Sequence, residues 1–191
     1  PQVQGFFDLP SDNLEVIPLF ADYIADKKLK NVVIVSPDAG GAARAREFGK
    51  VLHAPIAIVD KRRPQPNVAE VQNVIGDVKC KTAILVDDII DTAGTTAEAA
   101  KILMRFGAKE VYAFATHAVL SEPAAERIEK SQIKEFVVTN TVKIPKEKMV
   151  SKLKILSIAP LLAETIKRTH EGLPMGIVYE QMYKKLEKKL K

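Results

Sequence analysis

Apolar residues recur in short blocks whose spacing switches between two periods. Val32-Val-Ile-Val35 and Ala83-Ile-Leu-Val86 are continuous apolar runs, the pattern of strands buried on both faces. Ile56 to Val59, Val111 to Thr116, Glu135 to Thr139 and Leu153 to Ile158 are further strand candidates. Between them lie helical stretches: Leu14 to Ile24 despite Pro18, Ala42 to Leu52, Thr95 to Phe106 ended by Gly107, Glu122 to Lys130, and Leu161 to Thr169. Ser11, Asp12 and Asn13 are N-cap candidates for the first helix. Lys61 to Asn67 is expected to be a loop, because Pro64 and Pro66 interrupt regular structure. Val68 to Asp77 is expected to form an irregular or strand-like arm. This alternation predicts an α/β fold, a doubly wound and mostly parallel sheet with helices on both faces. Ligands of such sheets gather at the carboxyl ends of the strands, so the residues after each strand are the ones to inspect.

Composition narrows the picture. A chain of 191 residues with 47% hydrophobic and 28% charged residues is sized for one large α/β domain. No apolar run approaches the roughly 20 residues of a membrane helix. Residues 1–7 lack the basic and apolar regions of a signal peptide. The single cysteine, Cys80, excludes an internal disulfide framework and fits a reducing, cytoplasmic setting. The net charge is +5, but residues 182–191 hold five lysines against Glu187. The excess belongs to a lysine-rich end, read as a solvated helix rather than a nucleic-acid arm. Residues 1–173 are expected to form one domain, and residues 174–191 a helical extension.

The densest chemistry follows Val86. Asp87 and Asp88 are succeeded by Asp91, Thr92, Ala93, Gly94, Thr95 and Thr96 as a helix opens. The unsatisfied N–H groups of a helix start attract an anion, and Gly94 lets backbone approach it. Threonine hydroxyls add donors. Two carboxylates would repel a phosphate, so they are expected to face sugar hydroxyls or a divalent cation. A phosphate at one end and a diol at the other describe ribose 5-phosphate. His117 follows a strand near the ligand edge, whereas His53 and His170 read as surface positions. No Ser-His-Asp or Cys-His spacing suggests a nucleophile.

Val86-Asp-Asp-Ile-Ile-Asp-Thr-Ala-Gly-Thr95 resembles the phosphoribosyl-binding motif of the type I phosphoribosyltransferase fold, in the version found in the ribose-phosphate pyrophosphokinase family. Gln4-Gly-Phe-Phe-Asp8, Ser36-Pro-Asp38, Asp60-Lys-Arg-Arg-Pro64, Asn67-Val-Ala-Glu-Val71 and Ala159-Pro-Leu-Leu-Ala163 agree in the same order. The resemblance reaches about residue 171 and covers the C-terminal half of that family. It implies transfer of the β,γ-diphosphoryl group of ATP to the 1-hydroxyl of ribose 5-phosphate, giving phosphoribosyl pyrophosphate and AMP. By the same resemblance Lys61 and Arg63 are the catalytic cations, Asp38 is a Mg²⁺ ligand, and Asp87, Asp88, Asp91, Thr92, Ala93, Gly94 and Thr95 bind ribose 5-phosphate. A lysine point charge and an arginine fork suit a phosphoryl chain. Asp38 also reads as a helix N-cap, and the two roles are compatible. Arg44 and Arg46 are open between anion binding, subunit contacts and an exposed helix face.

The family's N-terminal half supplies most of the ATP site, so these residues alone are expected to be inactive or incomplete. A homo-oligomer, with phosphate or ADP as regulator, is also implied. Two alternatives remain at this point: a stand-alone phosphoribosyltransferase, and a non-catalytic regulatory or scaffold homologue. No nucleic-acid or membrane partner is expected.

Overall fold

A computed structural model describes the backbone of residues 3–62 and 71–190, and the side chains of residues 5–60 and 73–190. Seven strands form one sheet: β1 (Val32–Ser36), β2 (Ile56–Arg62), β3 (Val71–Ile75), β4 (Thr82–Ile90), β5 (Glu110–Ala118), β6 (Ile133–Thr139) and β7 (Leu153–Leu156). Their order is β3-β2-β1-β4-β5-β6-β7. Every neighbouring pair is parallel except β2 with β3, where Lys61 lies opposite Gln72. The strand-like arm is thus an antiparallel edge strand. Lys61 and Arg62, expected in a loop, continue β2, because β3 returns alongside and satisfies their backbone groups.

The helices are α1 (Ile17–Asp26), α2 (Ala42–Leu52), α3 (Gly94–Arg105), α4 (Ala124–Lys130), α5 (Ala159–His170) and α6 (Gly176–Leu190). Alternate side chains of each central strand face opposite layers. Val33, Val35, Ala83, Leu85, Ala113 and Ala115 pack with α3 and α4 through Ala99, Ala100, Leu103 and Ile128. Ile34, Ile84, Val86, Tyr112 and Phe114 pack with α1 and α2 through Phe20, Ile24, Ala45 and Phe48. Small residues on the first side let α3 approach closely. Rings fill the other side, with Phe20 edge-on to Phe114 at 5.4 Å.

Two expectations at the chain ends are corrected. The first helix is not capped by Ser11, Asp12 or Asn13. Its N-cap is Val16, and Pro18 occupies the first turn, where a missing N–H costs nothing. The lysine-rich end is helical but not merely solvated. Val178 and Leu186 of α6 are buried, and the helix packs on α1. Lys189 pairs with Asp22 at 2.5 Å and Asp26 at 2.8 Å, and Tyr179 Oη accepts the Glu15 N–H at 2.7 Å. Among the described residues no helix is long and apolar enough to cross a membrane.

Candidate functional site

The strand order reverses between β1 and β4, whose neighbours β2 and β5 lead away to opposite edges. Loops leaving two such strands diverge to opposite faces and open a crevice at their carboxyl ends. Asp38, Asp87 and the residues 89–96 line a cavity of about 180 Å³ there.

The strand that carries the acids is longer than its apolar run implies. β4 does not stop at Val86 but continues to Ile90, with Asp87 opposite Ala115 and Ile89 opposite His117 on β5. Asp87 therefore stands on paired backbone, and Asp88 lies between the paired Asp87 and Ile89. Arg44, from the first turn of α2, bridges them: one Nη lies 3.0 Å from Asp87 Oδ1 and the other 2.7 Å from Asp88 Oδ2. The Asp88 N–H also donates to Asp87 Oδ1 at 2.9 Å. Burial pushes the Asp87 carboxyl up to about 6, and the neighbouring Asp88 adds to the rise despite Arg44. At Asp88 the cost of burial is outweighed by the Arg44 charge, the hydrogen bond with Asp87 and the N–H groups of Asp88 and Ile89. Its carboxyl lies below the ordinary value. The two acids thus divide their roles, one holding a proton far more readily than the other.

The opposite end of the cavity is made of backbone. α3 begins at Gly94 with no side-chain cap, so its first N–H groups are left for a ligand. The left-handed residue that turns the chain into α3 is Ala93, at φ +58°, rather than Gly94. A Cβ at Gly94 would lie 3.4 Å from an Arg127 nitrogen, so the openness of this glycine faces α4. Arg127 donates to the Thr92 carbonyl at 3.1 Å and ties the loop to α4.

Asp38 is exposed, and its Oδ1 accepts the Gly41 N–H at 3.0 Å. It therefore orients the turn into α2 while lining the cavity. A Cβ on Gly41 would come within 2.6 Å of Ser36 Oγ, so a larger residue here would have to displace the Ser36 hydroxyl from its bond to the Asp38 carbonyl. No group of three or more His, Cys, Asp or Glu side chains able to hold a metal occurs among the described residues. A single carboxylate beside an uncapped helix start nonetheless fits Mg²⁺, which commonly takes one or two protein carboxylates plus substrate oxygens.

The structure thus gathers Asp38, Asp87, Asp91, Thr92, Ala93, Gly94 and Thr95 around one cavity, with Asp88 beside it. The backbone of Lys61 lies in β2, three residues beyond the pairing of Ile58 with Ser36, hence toward the same carboxyl edge. The Lys61 side chain and all of Arg63 lie outside the described residues. Two residues that touch the site carried weak sequence signals. Arg44 lies six residues after Asp38, but that spacing does not say which way it points. Arg127 lies 35 residues from Thr92, with nothing local to link them. His117 is exposed and shares a hydrogen bond of 2.9 Å with Thr141 Oγ1 rather than turning to the cavity. Cys80 is an exposed turn residue, and Asp77 accepts the Lys79 N–H in the same turn.

Comparisons with known proteins agree with this fold. A family model described as the phosphoribosyl synthetase-associated domain matches residues 61–180, running beyond residue 173 into α6. The ribose-phosphate pyrophosphokinase of Bacillus subtilis (strain 168) is 60% identical over 179 residues, 94% of this chain and 56% of that protein. The phosphoribosylpyrophosphate synthetase from Mycobacterium smegmatis superposes with a TM-score of 0.82 at 42% identity, over 90% of this chain and 56% of that one. The orotate phosphoribosyltransferase from Aeropyrum pernix, 16% identical, superposes with a TM-score of 0.53 over 80% of this chain and 75% of that one, and shares the fold. The chain spans about half the length of the curated relatives it matches.

Proposed function

Because the chain belongs to the ribose-phosphate pyrophosphokinase family, we propose that it is the C-terminal catalytic half of a ribose-phosphate diphosphokinase and binds ribose 5-phosphate. The observation that carries this reading is the single cavity at the sheet's reversal point, with carboxylates at one end and a helix start at the other. The 5-phosphate takes the N–H groups and threonine hydroxyls of the 91–96 loop. The vicinal hydroxyls donate to Asp87 and Asp88. The sugar then lies across the crevice with its 1-hydroxyl free.

In the proposed reaction the 1-hydroxyl oxygen attacks the β-phosphorus of ATP. The bond between that phosphorus and the α-phosphate oxygen breaks, AMP leaves, and the hydroxyl proton is released. Lys61 and Arg63 supply positive charge for the transferred group. Asp38 would hold Mg²⁺, which supplies further neutralisation of phosphoryl oxygens when bound. Assembly into a homo-oligomer belongs to the same proposal. It is supported by apolar side chains left exposed at Phe6, Phe7, Leu9 and Ile166.

Calorimetry with ribose 5-phosphate in Mg²⁺, followed by an AMP-release assay after ATP is added, tests the reading. Saturable binding is expected. Binding with AMP release makes the chain sufficient for catalysis, and binding without release leaves it a substrate-binding half. Absence of binding would overturn the proposal in favour of a non-catalytic homologue.

A further inference from the structure

The two acids are successive residues of a paired strand, and successive side chains of a strand ordinarily leave on opposite sides. Two adjacent carboxylates at a partly dry strand end also repel each other. Both tendencies would spread Asp87 and Asp88 apart. A cis-diol needs the reverse, two acceptors that converge on neighbouring hydroxyls.

One side chain counters both tendencies. Arg44 places one Nη on Asp87 at 3.0 Å and the other on Asp88 at 2.7 Å. A guanidinium is planar, holds its donors at fixed spacing and stays charged throughout the accessible pH range. Bridging two carboxylates with one such group sets their separation as well as offsetting their charge. Arg44 leaves the first turn of α2, directly after the turn in which Asp38 Oδ1 accepts the Gly41 N–H. The acid pair also has a fixed partner in the Asp88 N–H, which donates to Asp87 Oδ1. Arg44 thus acts on the two acids, at the sugar end of the proposed site.

We infer that Arg44 is a specificity-determining, positioning residue: by clamping Asp87 and Asp88 together it makes the site demand two vicinal hydroxyls rather than one. The inference rests on the proposed ribose 5-phosphate site. It assigns Arg44 no contact with reacting atoms. Its signature is a selectivity ratio, which a general loss of stability does not change.

The test compares ribose 5-phosphate with 2-deoxyribose 5-phosphate by calorimetry on the 191-residue chain, its Arg44→Gln variant and its Arg44→Lys variant. Thermal melts of all three serve as the folding control. Arg44→Lys keeps the charge and removes the fork, so it separates spacing from electrostatics and also serves if the glutamine variant folds poorly. The unaltered chain is expected to prefer the diol by about tenfold, the worth of one charge-assisted hydrogen bond. In both variants that preference should fall to about threefold or less. Binding of the deoxy sugar should stay within about threefold of the original, because the phosphate loop is untouched. An unchanged preference in both folded variants would overturn the role of Arg44 while leaving the ribose site intact. No preference in the unaltered chain would overturn the diol assignment itself, and this inference with it.

Discussion

At one end of the cavity the groups aimed at the ligand are side chains, Asp87 and Asp88 with Arg44 behind them. At the other they are the backbone of residues 91–96 and the start of α3, with Arg127 bonded to the Thr92 carbonyl. The first end depends on charge, so it responds to pH and to single substitutions. The second depends on where N–H groups point, which side-chain changes alter little. The tethering arginines come from opposite layers, Arg44 on α2 and Arg127 on α4. Among the described residues each side of the sheet therefore contributes a cation beside the cavity, and the cavity is tied to both layers.

The sharpest break between the two ends is expected from Asp87→Asn with Asp88→Asn. Ribose 5-phosphate affinity should fall about a hundredfold as two charge-assisted acceptors are lost. Calorimetry with inorganic phosphate should meanwhile show little change. Loss of both affinities together would mean that the acids shape the loop rather than the diol site.

The next effect is on stability. The Asp87 carboxyl is pushed up to about 6 from an ordinary value of 3.8, chiefly by burial. Between those two values the folded chain binds more proton than the unfolded chain. This contribution therefore stabilises at low pH and is lost as pH rises through about 4 to 6, after which it is flat. With solvent screening of this partly exposed group its size is about 1–2 kcal/mol. Denaturant melts of Asp87→Asn against the original chain should diverge over that window, with the variant relatively more stable at pH 7. Ribose 5-phosphate binding by the original chain should weaken below about pH 6, whereas binding of phosphate alone should not follow the same midpoint.

A smaller effect is expected from Arg127→Ala. It removes one donor to the Thr92 carbonyl at an exposed position, worth about 1 kcal/mol. Affinity for inorganic phosphate should drop about fivefold while the preference for ribose over deoxyribose 5-phosphate stays the same. A change in that preference would show that the two ends are mechanically coupled. The mildest change concerns the C-terminal helix. Removing residues 184–191 should lower the melting temperature, because Leu186 is buried against the domain and Lys189 pairs with Asp22 and Asp26. Both ligand affinities should be unaffected, and a loss at either end would show that α6 supports the cavity.

Much of this was legible in the chain because it is local. β-branched runs such as Val32 to Val35 form strands buried on both faces whatever the topology, and the 42–52 helix follows from its spacing alone. The acid, glycine and threonine cluster led to the proposed sugar-phosphate site because those groups sit within ten residues of one another. What sequence reading placed badly depended on partners far along the chain. β4 extends through the acids because β5 lies beside it to pair with Asp87, Ile89 and Ile90. Lys61 and Arg62 belong to a strand because β3 folds back onto β2. The lysine-rich end is anchored because α1 offers Asp22, Asp26 and an apolar groove.

The amino-acid sequence by itself determined the α/β alternation, the family and the composition of the 91–96 loop, since each is written in neighbouring residues. Only the tertiary structure decided which way Arg44 and Arg127 turn. Backbone periodicity fixes the face a side chain leaves from, but the charge it meets there is set by strands and helices that packing brings together across 35 to 44 residues of chain.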